Sequence, residues 1–205
     1  MFITFEGLDF CGKSTQVDLL IEYFESRGDK ITLLREPGGT EISEKIRSIL
    51  LDKKNNLMNM ETELLLFCSS RAQLVREKII PLLEKGNIVI SDRFYDSSTA
   101  YQGFGRGLDI DFVINLHKFV AGKAIPDITF FIDLPLAEIE KRKKGKEKSL
   151  DRIESSKNGF YEKVRNGYHF LVKKEQRFRL IDGTKSIEEV HDNILEEIRN
   201  FERRN

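Results

Sequence analysis

The chain has 205 residues, with 34 Lys and Arg against 34 Asp and Glu, so its formal net charge is zero. That length predicts a single domain spanning residues 1–205. The charge balance excludes a protein whose main work is coating nucleic acid or anionic membrane, since such partners are held by excess positive charge. An apolar content of 40%, with 14 glycines and 4 prolines, marks a folded globule. No apolar run is long enough to span a bilayer, and the start shows no signal-peptide pattern. Two cysteines, Cys11 and Cys68, are too few for a disulfide scaffold, so the expectation is a soluble protein of the reducing cytoplasm.

Short apolar runs alternate with helical patterns along the chain. Met1–Phe5 reads as a strand, followed by a glycine-rich turn and a helix carrying Val17, Leu19, Leu20, Tyr23 and Phe24. Lys30–Leu34 reads as the second strand, and Leu64 to Leu83 as the longest helix. Asn87–Ser91, Ile128–Ile132 and Phe178–Ile181 complete five strands, and Val190, Ile194, Leu195, Ile198 and Phe201 mark a last amphipathic helix. Runs apolar at nearly every position predict strands covered on both faces. The expected fold is therefore α/β, a five-stranded mostly parallel sheet with helices on both faces. Lys141–Arg152 stands apart, with seven basic residues against two acidic ones. Alone it is a solvated surface run; facing an anion it would be a small basic lid, about 141–156.

Gly7-Leu8-Asp9-Phe10-Cys11-Gly12-Lys13-Ser14 fits G-x-x-x-x-G-K-[ST] between a strand and a helix, the context this phosphate-binding motif requires. The two glycines permit a tight cradle of N–H groups, and the helix that opens at Lys13, Ser14 and Thr15 adds its positive end. Lys13 reaches the β and γ phosphates and the Ser14 hydroxyl suits Mg²⁺, so the loop predicts a bound nucleoside triphosphate. Asp92, closing an apolar strand and followed by Arg93, is the candidate metal-side carboxylate, and Asp133 is its rival. Cys11 lies inside the loop; it is either a tolerated small side chain or an oxidation-sensitive thiol.

The reaction follows from what accompanies the loop. There is no guanine-reading N-K-x-D, and the only D-x-x-G, Asp9–Gly12, lies within the loop itself. A small nucleotide kinase needs a donor loop, a second basic pocket for an acceptor phosphate and a mobile basic lid. Arg35, Arg47, Arg71 and Arg93 can supply the pocket and Lys141–Arg152 the lid. Another nucleoside monophosphate kinase and a nucleotide-dependent binding switch are the competing readings.

Over nearly its whole length the chain also resembles the thymidylate kinase family. The residues that carry the resemblance are Phe2-Ile3-Thr4-Phe5-Glu6-Gly7, Arg35-Glu36-Pro37-Gly38-Gly39-Thr40, Leu66-Phe67 with Arg71, and Asp92-Arg93-Phe94. Asp96-Ser97-Ser98-Thr99-Ala100-Tyr101-Gln102-Gly103 and Leu150-Asp151-Arg152-Ile153-Glu154 extend it. The resemblance implies a P-loop fold, ATP and dTMP as substrates, Mg²⁺, a place in dTTP synthesis and a homodimer. It implies that Phe67 stacks on thymine, Arg71 bonds a base carbonyl, Ser98 and Gln102 read the base edge, and Tyr101 presses on the deoxyribose. Arg35 and Arg93 would grip the acceptor phosphate, Asp9 would face the sugar 3′-hydroxyl or a metal-bound water, and Glu36 beside Pro37 would order water or Mg²⁺. The bond before Pro37 is open between cis and trans. Two departures stand out. Phe10 occupies a position where some members carry arginine, so the lid must supply the cation, Arg152 first and Arg142 second. Phe94 stands where tyrosine is common.

Overall fold

In the computed structural model, residues 1–144, 151–153 and 159–204 are described. Five strands form one wholly parallel sheet in the order β2-β3-β1-β4-β5: β1 (Phe2–Glu6), β2 (Ile31–Arg35), β3 (Ile88–Asp92), β4 (Ile128–Asp133) and β5 (Phe178–Asp182). Parallel neighbours require crossovers, and helices supply them. α1 (Lys13–Ser26) joins β1 to β2, and α2 (Glu41–Leu51), α3 (Met60–Leu74) and α4 (Ile80–Glu84) lie between β2 and β3. α5 (Tyr95–Ser98) and α6 (Ile110–Ala121) precede β4, α7 (Leu136–Lys144) and α8 (Phe160–Lys174) precede β5, and α9 (Ile187–Glu202) closes the chain.

Strand alternation sorts the core into two faces. Ile3, Phe5, Ile90 and Phe130 pack with Val17, Leu20 and Phe24 of α1 and with Val190 and Ile194 of α9. Phe2 and Val89 turn the other way, onto Leu74, Val75, Ile79 and Phe94. That second face is not purely apolar. Thr4 meets Thr129 at 2.8 Å across the sheet, and Ser91 and Glu6 share its burial.

Each strand ends one residue beyond its predicted limit, on a charged residue: Glu6, Arg35, Asp92, Asp133 and Asp182. The parallel ladder continues past the apolar run, with Arg35 opposite Asp92 and Asp133 opposite Asp182. Coverage on both faces holds for the three central strands but not for the edges, where Leu33 of β2 and Leu180 of β5 are about half exposed (46% and 51%). The long predicted helix from Leu64 to Leu83 is continuous but carries a π-helical turn over Val75–Ile79. Pro81, just inside α4, has no N–H and its ring crowds the carbonyl four residues back, so the ladder widens there. A second π-helical stretch, Thr99–Gly105, follows α5. Gly105 lets it lie against α8, since a Cβ there would sit 2.6 Å from the Phe160 ring. Among the described residues, no helix is long and apolar enough to cross a membrane.

Candidate active site

The loops after β1 and β3 depart to opposite faces of the sheet, and a crevice opens between them at the carboxyl ends of the strands. It is a cleft of about 740 Å³. The phosphate loop from Asp9 onward, Arg142 and Lys185 line one part of it. Phe67, Arg71, Ser98, Tyr101 and Gln102 line another, and Arg35, Glu36, Pro37, Arg47, Asp92 and Arg93 also face it.

Local backbone explains the loop. Gly7 (φ 139°) and Gly12 (φ 106°) occupy conformations that side chains disfavour, and a Cβ on Gly7 would lie 2.6 Å from the Ile132 carbonyl oxygen. α1 starts at Gly12 with no side-chain cap, so the positive end of the helix faces the loop. The Lys13 ammonium curls over the loop, donating to the carbonyls of Gly7 (3.0 Å) and Leu8 (2.9 Å). Leu8 and Cys11 are buried, and the Cys11 sulfur lies 3.9 Å from that ammonium. Ser14 and Thr15 are exposed at the mouth of the cleft.

Arg93 is the junction between the loop and the rest of the cleft. Its backbone is left-handed (φ 69°), a costly state for a non-glycine residue that surrounding contacts must hold. Nη2 donates to Asp9 Oδ1 at 2.7 Å and to the Tyr101 hydroxyl at 3.3 Å, with the guanidinium 5.2 Å from the Tyr101 ring centroid. Nη1 donates to Ser97 Oγ (3.2 Å) and the Tyr168 hydroxyl (3.3 Å). Arg35 is exposed and pairs with Glu44 at 3.3 Å. Arg47 donates to the Pro37 carbonyl at 2.7 Å, and burial together with the neighbouring Arg35 pulls its pKa below the usual range. Converging cations of this kind are relieved by an anion.

The Glu36–Pro37 bond is cis. Glu36 and Arg71 form a buried pair, with Nη2 and Nε at 2.6 and 2.7 Å from the same carboxylate oxygen. Arg71 also donates to Ser98 Oγ (3.2 Å) and the Phe94 carbonyl (3.3 Å). Burial pushes the Glu36 carboxyl up, and Arg71 opposes the push. Two atoms of this pair, Glu36 Oε1 and Arg71 Nη1, are buried with no hydrogen-bond partner among the described residues. A donor left over in a cleft lining suits a ligand carbonyl. Phe67, one turn before Arg71, is half-buried in the same lining. Phe94 is fully buried and packs edge-on against Phe2.

The two metal-side rivals differ in what already holds them. Both Asp133 oxygens are taken by Arg165 (2.6 and 2.8 Å), with His169 at 3.2 Å. Asp92 keeps one buried oxygen with no partner among the described residues, and it shares the cleft with the Ser14 hydroxyl. Two hard oxygens beside a phosphate site fit Mg²⁺, which takes few protein ligands and completes its shell with phosphate and water. No cluster of three or more His, Cys, Asp or Glu suited to a metal exists among the described residues.

The two predicted lid cations are held in different places. Arg142 on α7 reaches the phosphate loop, donating to the carbonyls of Cys11 (3.2 Å) and Gly183 (2.9 Å). Arg152 is not in the cleft lining. It pairs with buried Glu63 at 2.7 Å and donates to the Leu50 carbonyl at 2.7 Å. Glu63 also accepts from Gln102 (2.9 Å) and Arg106 (3.1 Å). Burial opposes its ionisation, but these bonds hold its pKa below the usual carboxylate range. Residues 145–150 and 154–158, which include much of the predicted lid as well as Leu150 and Glu154 of the resemblance, lie outside the described residues.

Three buried acids were not singled out by sequence reasoning as site residues. Glu63 offers no signal, being one glutamate among several on a helix. Asp96, bound bidentately by Arg177 at 2.7 and 2.8 Å, lies just past a strand end. Glu6 carried the same signal that selected Asp92, a carboxylate closing an apolar strand.

A nucleotide-phosphate loop between β1 and α1 of a parallel sheet, with a strand-end carboxylate and converging arginines in one cleft, defines a P-loop phosphotransferase. A family model described as thymidylate kinase matches residues 5–194. The chain is 49% identical over 198 residues to the thymidylate kinase of Kosmotoga olearia, covering 96% of this chain and 94% of that protein. It is 50% identical over 201 residues to that of Thermosipho africanus, covering 98% and 96% respectively. The crystal structure of thymidylate kinase from Ehrlichia chaffeensis matches with a TM-score of 0.78 at 37% identity, over 97% of this chain and 98% of that one. The chain belongs to the thymidylate kinase family and is a kinase with the P-loop fold.

The buried and exposed arginine pairs differ in energetic weight. Glu36→Gln leaves the Arg71 guanidinium buried without its counter-ion and is expected to destabilise by about 3–5 kcal/mol in urea unfolding. Arg35→Gln, whose pair with Glu44 is solvent-exposed, is expected to cost less than about 1 kcal/mol. Equal losses would contradict the assignment.

Proposed function

We propose that this chain transfers the γ-phosphate of ATP to dTMP, releasing ADP and dTDP, as one cytoplasmic domain in dTTP synthesis. The observation that carries this reading is the shared cleft: the phosphate loop and the Phe67–Arg71 helix face line one cavity, with Arg93 bonded to Asp9 of the loop. The N–H groups from Gly7 to Thr15 and the Lys13 ammonium bind the donor phosphates. Ser14 and Asp92 would hold Mg²⁺, which when bound neutralises charge on the donor phosphate oxygens.

On the acceptor side Phe67 packs on thymine and Arg71 Nη1 donates to a base carbonyl. Ser98 and Gln102 read the base edge, and Tyr101 lies against the deoxyribose. Arg35 and Arg93 grip the dTMP phosphate, with Glu36 and Pro37 shaping that end and Asp9 turned to the sugar or its water. Catalysis is positioning and charge neutralisation, an in-line attack of the dTMP phosphate oxygen without a covalent enzyme intermediate. The hydrogen bonds of Arg142 to the Phe10 and Cys11 carbonyls of the loop support it as the lid cation for the transferring group, with Arg152 second.

The reading extends to a homodimer. Leu65 on α3 is 52% exposed, and Phe112 and Phe119, seven residues apart on one face of α6, are 57% and 80% exposed. α3 packs against α6, so these side chains form a surface suited to a second copy. Sedimentation equilibrium is expected to give a dimer that Phe119→Asp weakens; a parent protein that stays monomeric at micromolar concentration refutes the pairing.

A coupled ADP-release assay with dTMP, dUMP, dCMP and dGMP tests the activity. ADP and dTDP are expected from dTMP, with dCMP and dGMP strongly disfavoured. ATP binding with no dTDP would mean a nucleotide switch, and a preference for dCMP or dGMP another monophosphate kinase. In the same assay Arg142→Ala is expected to lower kcat about 10²–10³-fold. Arg152→Ala is expected to lower it less, and the reverse order would return the lid role to Arg152.

A further inference from the structure

Beneath Arg93 lies a carboxyl group that the reaction scheme does not use. Glu6 is fully buried at the end of β1. Its Oε1 accepts the Phe94 N–H at 2.8 Å, and its Oε2 accepts from Ser97 Oγ at 2.6 Å and from the Tyr168 hydroxyl at 2.8 Å. Those two hydroxyl oxygens are the acceptors of Arg93 Nη1.

Proton bookkeeping ties the direction of this array to the charge on Glu6, with the Ser97 and Tyr168 hydroxyls also 3.0 Å from each other. Ser97 and Tyr168 each have one hydroxyl proton. With Glu6 ionised both protons point down to the carboxylate, and both oxygens turn their lone pairs up to the guanidinium. With Glu6 protonated, the carboxyl becomes a donor. One hydroxyl must then accept from it, and its own proton turns to the other hydroxyl, 3.0 Å away, or toward a guanidinium that can only donate, so the single ordered pattern is lost. Glu6 also holds the residue immediately after the left-handed Arg93 backbone, by its bond to the Phe94 N–H.

We propose that Glu6 is the positioning residue for Arg93, fixing through Ser97 and Tyr168 the guanidinium that grips the acceptor phosphate. This rests on the acceptor role given to Arg93 above. Glu6 never touches substrate. It selects the orientation of the two hydroxyls and hence the place of the cation.

The ionisation of Glu6 makes the array sensitive to pH. Burial, then the neighbouring Asp96, raises its pKa to about 7, while Arg93 opposes the rise. The groups facing it are Asp96 on α5, itself paired with Arg177, Tyr168 on α8, Arg71 on α3 and Arg93. Because the pKa is raised, the carboxylate form that orders the hydroxyls is complete only above neutrality and is lost as pH falls through about 7. The dTMP grip should weaken over the same window.

The test compares the parent with Glu6→Gln by steady-state kinetics from pH 5.5 to 8.5. At pH 8, Glu6→Gln is expected to raise KM for dTMP about tenfold or more while KM for ATP changes less than about twofold. The dTMP phosphate ionises with a pKa of about 6 and bends the acid limb in both proteins. The parent limb should therefore be steeper than first order, and that of Glu6→Gln first order only. A variant with the parent's KM for dTMP and the same limb, or with both KM values raised equally, overturns the proposal. If Glu6→Gln fails to fold, Ser97→Ala, Tyr168→Phe and their double variant decide. The double is expected to raise KM for dTMP about as much as Glu6→Gln would, and unchanged KM in all three overturns the proposal. A parent that never phosphorylates dTMP overturns the acceptor reading instead; a dTMP-active parent with an indifferent variant overturns only the role of Glu6.

Discussion

The ion pair between Arg93 and Asp9 is the contact on which the rest of the site depends. It joins the end of β3 to the phosphate loop at 2.7 Å, although the two residues are 84 positions apart. Arg93 holds a left-handed backbone, and contacts from β1, α5 and α8 hold its backbone and its guanidinium. The Arg93 N–H bonds the Phe5 carbonyl at 2.9 Å, and its own carbonyl accepts from Ser91 Oγ at 2.7 Å. The cost of that backbone is carried by these bonds together with those of the guanidinium, which leave the cation fixed in the cleft.

A zero net charge conceals this sorting. The 34 basic and 34 acidic residues do not cancel uniformly over the surface. Several meet as buried pairs, Glu36 with Arg71, Asp96 with Arg177 and Glu63 with Arg106 and Arg152. Buried pairs of this kind add little net stability, because desolvation offsets the attraction, but breaking one is costly. Their effect here is positional. Glu36 and Arg71 line the cleft, and Glu63 holds Gln102, which lines it too.

The apolar runs made the fold legible, since a buried parallel strand must be apolar on both faces. The same rule set the predicted limits one residue short at the strand ends, although Asp92 stood out as the carboxylate closing β3. Glu6, Arg35 and Asp92 break the apolar pattern yet remain in the ladder. The phosphate loop was legible because its glycine spacing follows from backbone angles alone. The spacing of Phe67 and Arg71 placed both on one face of a real helix. The environment of Arg152 was not legible: its partner Glu63 is 89 positions away and carries no local signature, so the basic run around it suggested a lid without showing which cation stands by the loop. The π-helical turns were equally hidden, although Pro81 marks one in hindsight through its missing donor. Arg177, bound to Asp96 across the second face, likewise had no sequence signal.

The proposed reaction requires one cleft to hold two phosphorylated nucleotides head to head, with Arg93 and the phosphate loop between them. The most direct measurement is inhibition by adenosine and thymidine joined 5′ to 5′ through a chain of five phosphates. Competition against both ATP and dTMP is expected, with affinity well above that of ADP or dTMP alone, because one molecule then fills both halves of the cleft. Competition against only one of the two substrates would contradict it.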